Sequence, residues 1–162
     1  MSRCAFVVAV GLILGSAAFG QAPDPQVVAP IQKFIDSFNK GDAPGAAATH
    51  APTAELAIVD EVPPYAWRGP QAFQTWTADL DSDSKKNGIT DQMVTISAAT
   101  RVETDGTHAY VVVPAVYTFK AKGVAMREAA QMTFALKKGS GGWLIHAWAW
   151  TGPRAERAPA KP

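Results

Sequence analysis

Four long β-rich runs, divided by turn signals and preceded by helical sequence, constrain this chain more than any other feature. Val94 to Glu103, His108 to Lys120, Val124 to Lys138 and Trp143 to Thr151 are rich in β-branched and aromatic residues. Between the last three stand Lys122-Gly123 and Gly139-Ser140-Gly141-Gly142, and Asp105-Gly106 precedes them. Sequential hairpins of this kind predict a meandering antiparallel sheet. The sequence before Ile89 has a different period. Val27, Val28, Ile31, Phe34, Ile35 and Phe38 recur at helical spacing, so Pro25 to Lys40 is expected to be an amphipathic helix stopped at Gly41. Pro44 to His50 reads as a second, short helix and Ala54 to Asp60 as a strand. A third helix opens at Pro70, buries Phe73, Trp76 and Leu80, and ends near Gly88. Helices first and strands afterwards mean an α+β fold with the helices on one face of the sheet.

The two ends lie outside that pattern. Met1 to Gly20 carries Arg3, an apolar run from Ala5 to Leu14 and small residues after it, the three-part pattern of a signal peptide with cleavage expected after Gly20. The run is shorter than the roughly 20 residues a membrane-spanning helix needs. The expectation is an exported protein, periplasmic or secreted, with no membrane association after cleavage. Residues 153–162, made of Pro, Ala, Arg, Lys and one Glu, read as a disordered tail. Without Arg3, the 15 Lys and Arg fall to 14 and balance the 14 Asp and Glu, so no nucleic-acid partner is expected. The one cysteine, Cys4, leaves with the signal, so the domain depends on its core. A composition of 48% hydrophobic residues with five Trp and seven Phe supplies one.

Candidate chemistry concentrates in Ile58-Val59-Asp60-Glu61-Val62-Pro63-Pro64-Tyr65-Ala66-Trp67-Arg68-Gly69-Pro70. Paired carboxyl groups end an apolar strand beside aromatic residues, as in a pocket that holds an acid or base. No phosphate-binding glycine loop, Gly-x-Ser-x-Gly, His-Glu-x-x-His or Cys-x-x-Cys occurs, so neither cofactor nor metal is expected. Asp79, Asp81 and Asp83 begin like a calcium loop, but Ser84 and Thr90 stand where Gly and Glu are needed. They read as a solvated helix face.

The order of elements, with the turn Asn39-Lys40-Gly41-Asp42 and the strand ending in Asp60, resembles the nuclear transport factor 2-like superfamily. Within it the likeness is to the SnoaL-like and ketosteroid isomerase-like branch, and it covers residues 25–152. The resemblance implies a cone-shaped α+β barrel, with N-terminal helices packed in a strongly curved antiparallel sheet around a pocket, and a homodimer. The isomerases of that branch place a general-base Asp nine residues before the Gly that opens the third helix. Asp60 stands nine residues before Gly69. Their two oxyanion donors correspond here to Phe34 and Met132, neither of which donates, and losing one such donor commonly slows the reaction about 10²–10³-fold. The resemblance therefore stops short of steroid isomerisation.

Strand parity extends the implied site. Met132 and Phe134 share one face of their strand, and His146, Trp148 and Trp150 share one face of the next. If the Met132 face lines the pocket, the resemblance brings in His146, Trp148 and Trp150, with Tyr117 from the neighbouring strand. Tyr65 and Trp67 are either a lid or ordinary loop anchors. Asp60 is either a base or a turn-former, with Glu61 facing away. His146 is either a proton partner or a core or interface residue, and the Trp cluster is either pocket wall, core or dimer face. Two functions stay open. One is a domain that binds a small apolar or aromatic molecule, or another copy of itself. The other is a cofactor-independent isomerase, lyase or hydrolase with Asp60 as general base.

Overall fold

A computed structural model describes residues 24–159. The signal peptide expected over residues 1–20 lies outside the described residues. The chain order is α1 (Pro25–Asn39), α2 (Ala43–Ala47), β1 (Ala57–Val59), β2 (Ala66–Arg68), α3 (Ala72–Asn87), β3 (Ile89–Ile96), β4 (Arg101–Thr104), β5 (His108–Ala121), β6 (Val124–Gly139), β7 (Gly142–Thr151) and β8 (Glu156–Arg157). Helices precede the long strands, as the sequence pattern requires.

Local chemistry accounts for the helices. Asp24 caps α1 by accepting from the Gln26 amide, and Pro25 takes the first position, where no donor is lost. One stripe of α1 (Val27, Ile31, Phe34, Ile35) is buried. The turn after it does two jobs. Asn39 donates through Nδ2 to the Val94 carbonyl (2.7 Å) and accepts from the Val94 amide (2.8 Å), which fastens α1 to β3. Asp42 then caps α2 through the Gly45 amide. Gly88, at φ 66°, ends α3 in the left-handed conformation that favours glycine.

The sheet runs β2-β1-β7-β6-β5-β3, with β4 on β5 and β8 on β6. The expected meander is present in β5, β6 and β7, but the sheet is mixed, because β1 joins β7 in parallel. The run expected as one strand from Val94 to Glu103 is two strands, β3 and β4, separated by Ser97 to Thr100. Helix α1 touches both β7 and β3, which are separated in the sheet by β6 and β5, so the sheet curves around it. Among the described residues the edge strands β2 and β3 do not pair, and the curved sheet stays open. The core, with Val27, Ile31, Phe34, Ile58, Phe134 and Ile145, fills the space between the helices and the concave face.

Two expectations fail here. The tail is not wholly disordered: Arg157 pairs with Met126 and Glu156 with Arg127, and the Ala158 amide donates to the Ala125 carbonyl. The free edge of β6 beyond β7 offers the backbone groups that hold it. The strict alternation assumed for the last strand is also broken. The register of β6 against β7 shifts between Ala135↔Ala147 and Leu136↔Ile145, which leaves His146 as an extra residue. This bulge reverses the parity before it, so Trp143 and Ile145 face the core together with Trp148.

Candidate functional site

A cavity of about 210 Å³ opens between α1, α3, the β1–β2 turn and the concave face of the sheet. Its walls are strongly aromatic. Phe34 and Phe38 come from α1, Trp76 from α3, Tyr117 and Phe119 from β5, and Trp148 and Trp150 from β7. Trp76 and Trp148 meet nearly at right angles (centroids 5.0 Å apart, 85°), as do Tyr117 and Trp150 (6.1 Å, 82°). Such edge-to-face contacts are the favoured arrangement of aromatic pairs.

Every indole N–H in this wall has a side-chain acceptor. Trp76 donates to Asp60 Oδ2 (2.7 Å), Trp150 to Glu128 Oε1 (2.8 Å) and Trp148 to His50 Nε2 (3.0 Å). The Tyr117 hydroxyl donates to Gln92 Oε1 (2.6 Å). The aromatic side chains are thereby fixed in orientation, and their polar hydrogens all point into protein.

Carboxyl groups supply the polar part. Asp60 follows β1 and lines the cavity, with its other oxygen accepting from the Glu61 amide (2.7 Å). Burial raises its pKa, the bonds from Trp76 and the Glu61 amide counteract that, and the charge of Glu128 adds to the rise. Glu61 also lines the cavity, at the exposed rim, instead of facing away. The strand ends at Val59, and the chain turns so that the Asp60 amide donates to the Tyr65 carbonyl, which ends the alternation. The Glu61 pKa is pushed up to about 8 by desolvation, then by the charge of Glu128 and a hydrogen bond shared with it, then by Asp60 and Asp83. Glu128, on β6, is only 2% exposed and stands behind Trp150. Gly152 leaves room for it, since a Cβ there would overlap the carboxylate. Desolvation, followed by the same carboxylates, raises the Tyr117 pKa. Among the described residues no Lys, Arg or His lines the cavity.

The residues expected at the site divide. Asp60, Phe34, Tyr117, Met132, Trp148 and Trp150 line the cavity. Phe134 does not, because it is wholly buried in the core. Trp67 is buried against α3, donating to Asp79 Oδ2 (2.7 Å), and Tyr65 is 58% exposed, so neither lines the cavity. His146 is turned away by the bulge and lies 3.8 Å from the exposed Glu55.

Three residues were missed. Glu128 shares the strand parity of Met132, and Asp83 follows Trp76 and Leu80 at i+7 and i+3, so both had a signal. Asp83 therefore belongs to the cavity wall and not to a wholly solvated face. His50 had none. Buried, it contacts Phe34 and Phe73, and burial lowers its pKa to about 4 despite a hydrogen bond to the Ala46 carbonyl.

No protein-family model and no curated protein sequence matches this chain. Solved structures do. A ketosteroid isomerase-like protein from Erwinia carotovora atroseptica aligns with 79% of this chain and 94% of its own, at 22% identity and a TM-score of 0.60. A nuclear transport factor 2-like superfamily protein from Salmonella enterica serovar Typhimurium aligns over 80% and 89%, at 14% identity and 0.65. A hexachlorocyclohexane dehydrochlorinase aligns over 82% and 89%, at 12% identity and 0.62. At these identities the likeness is one of architecture, and the chain has the nuclear transport factor 2-like fold that its order of elements resembles.

Proposed function

We propose that the cavity is the binding site for one small molecule with an apolar or aromatic body, in an exported, homodimeric domain without steroid isomerase activity. The observation that carries this reading is the wall of aromatic side chains fixed by hydrogen bonds around about 210 Å³. An engineered apolar cavity of about 150 Å³ already holds benzene. Donor geometry supports the absence of steroid isomerisation. Phe34 and Met132 offer no donor, and the Tyr117 and Trp hydrogens are committed to protein acceptors. Native mass spectrometry of the purified protein tests the reading. A retained small molecule, or one taken up from a panel of apolar and aromatic compounds, is expected in the folded protein. A Trp148→Ala variant should lose it. Uptake unchanged in that variant would overturn the proposal, and the same spectra report the dimer.

One observation favours a catalytic version. Asp60 is a desolvated carboxyl with a raised pKa inside the cavity, the environment of a general base. One similar fold is named as a dehydrochlorinase. In this version Asp60 takes a proton from the bound molecule. Asp60→Asn should then abolish turnover of any substrate identified while leaving its binding in place.

A further inference from the structure

We propose that the ligand is an organic cation, an N-alkylated ammonium held by the aromatic rings and drawn in by the surrounding carboxyl groups. This rests on the cavity being a binding site and names the class of molecule it takes.

The first support is the one-sidedness of the polar lining. Asp60, Glu61 and Asp83 line the cavity from the β1–β2 turn and α3, and Glu128 stands behind Trp150 on β6. No cationic side chain among the described residues faces them. Burying like charges without a counter-ion is costly, so a fold that gathers them leaves a place for a positive partner.

The second support is the accounting of hydrogens. A ligand carrying a carboxylate, phosphate or carbonyl needs donors. The side-chain donors of this wall already serve Asp60, Glu128, His50 and Gln92. The aromatic wall thus offers π-faces and keeps its N–H and O–H hydrogens for the protein.

The third support favours an alkylated ammonium over a metal ion or a primary amine. Among the described residues no three His, Cys, Asp or Glu converge to hold a metal ion. A primary ammonium requires three acceptors at close range. Both Asp60 oxygens and Glu128 Oε1 already accept bonds from the protein. Glu61 and Asp83 are the lining carboxyl groups that accept no bond from a protein donor among the described residues. Seven aromatic rings line the cavity beside these two groups, a surface that suits a quaternary centre, or a tertiary one whose single N–H reaches a carboxyl group. Rings recognise such cations through their negative faces. An indole whose N–H donates to a carboxylate has its π-electrons enriched, so Asp60 and Glu128 strengthen the hold of Trp76 and Trp150 on a cation as well as orienting them.

Choline and its carbon isostere 3,3-dimethylbutan-1-ol, which differ in charge at nearly equal shape, test the proposal. Binding to the full folded domain is followed by tryptophan fluorescence and calorimetry. Choline is expected to bind at least about tenfold more tightly than the isostere. Asp83→Asn and Glu128→Gln should each reduce that preference several-fold. Equal or tighter binding of the neutral isostere would overturn the cation proposal and leave the binding-site reading standing. Failure of both probes to bind while the apolar and aromatic panel is taken up also overturns the cation alone, and failure of all of them removes both readings. If Glu128→Gln does not fold, the wild-type preference and Asp83→Asn decide.

Discussion

The same contact, a tryptophan N–H on an ionisable side chain, occurs in the core and at the cavity with opposite consequences. In the core, Trp148 donates to Nε2 of His50, and the Ala46 carbonyl lies 3.0 Å from Nδ1. Both ring nitrogens are engaged, and burial keeps the ring neutral. At the cavity, Trp76 and Trp150 donate to Asp60 and Glu128, and the charges of Glu128, Asp60 and Asp83 add to the desolvation that raises the proton affinity of Glu61. Complete satisfaction with no charge marks a structural histidine. Carboxyl groups crowded together with no cationic side chain among the lining residues mark a candidate site.

The sharpest way to break this contrast is to remove His50. In His50→Ala, Trp148 Nε1 loses its acceptor and Phe34 and Phe73 lose a packing neighbour. The expected loss is about 3–4 kcal/mol, the sum of a cavity and an unsatisfied buried donor. Chemical denaturation measures it directly. A loss below about 1 kcal/mol would mean that His50 is not the structural member of the pair.

Acid should act through the same residue. His50 has its folded pKa depressed from 6.5 to about 4, so its stability is present above pH 6.5 and lost as the pH falls towards 4. A shift of this size corresponds to a loss on the order of 3 kcal/mol. The urea midpoint of the wild type should fall across that window, and in His50→Ala that part of the slope should vanish. A slope that persists in the variant would locate the acid sensitivity elsewhere.

How much of this was legible depends on whether a local period survived. The face of α1 that carries Phe34 and the strand face that carries Met132 follow unbroken periods of 3.6 and 2, and both reach the cavity. Asp60 was found through its spacing to Gly69, and it too lies there. The same alternation misplaced His146, because one bulge reverses the face of every residue before it and leaves no mark in composition. Glu61 was misplaced because β1 ends before the carboxyl pair, and a turn obeys no alternation. Glu128 shares the period of Met132, and Asp83 shares that of Trp76 and Leu80, but the calcium-loop-like spacing of Asp79, Asp81 and Asp83 read as a solvated face. His50 meets Trp148 across 98 residues, a pairing that only the fold creates.

The cavity side of the contrast makes a prediction of opposite sign. Glu61 has a folded pKa raised from 4.5 to about 8, and that of Asp60 is raised as well, so their contribution is present at low pH and lost as the pH rises through the folded values. Replacing Glu61 by Gln keeps the shape and removes the repulsion with Asp60, Asp83 and Glu128. Glu61→Gln should therefore raise the thermal midpoint, by an amount on the order of 1 kcal/mol because the rim is solvated. The gain should be larger at pH 8.5 than at pH 5. A variant that is destabilised, or whose gain shrinks with pH, would show that Glu61 is already balanced within the protein.

The smallest effect is expected at His146, and it tests the bulge that separates the two faces of β7. The side chain is 19% exposed, its contact with Glu55 is long, and Glu55 is itself 75% exposed. Burial and then Lys137 lower the His146 pKa, so at pH 7.5 the ring is uncharged and the contact is not an ion pair. His146→Ala should change stability by no more than about 0.5–1 kcal/mol. It should leave choline titrations and the pH dependence of the cavity tryptophan fluorescence unaltered, because the bulge turns the ring away from Trp148 and Trp150. A shift in either readout would mean that His146 communicates with the carboxyl cluster through the sheet. The division of β7 into a core and cavity face and an outer face would then no longer hold.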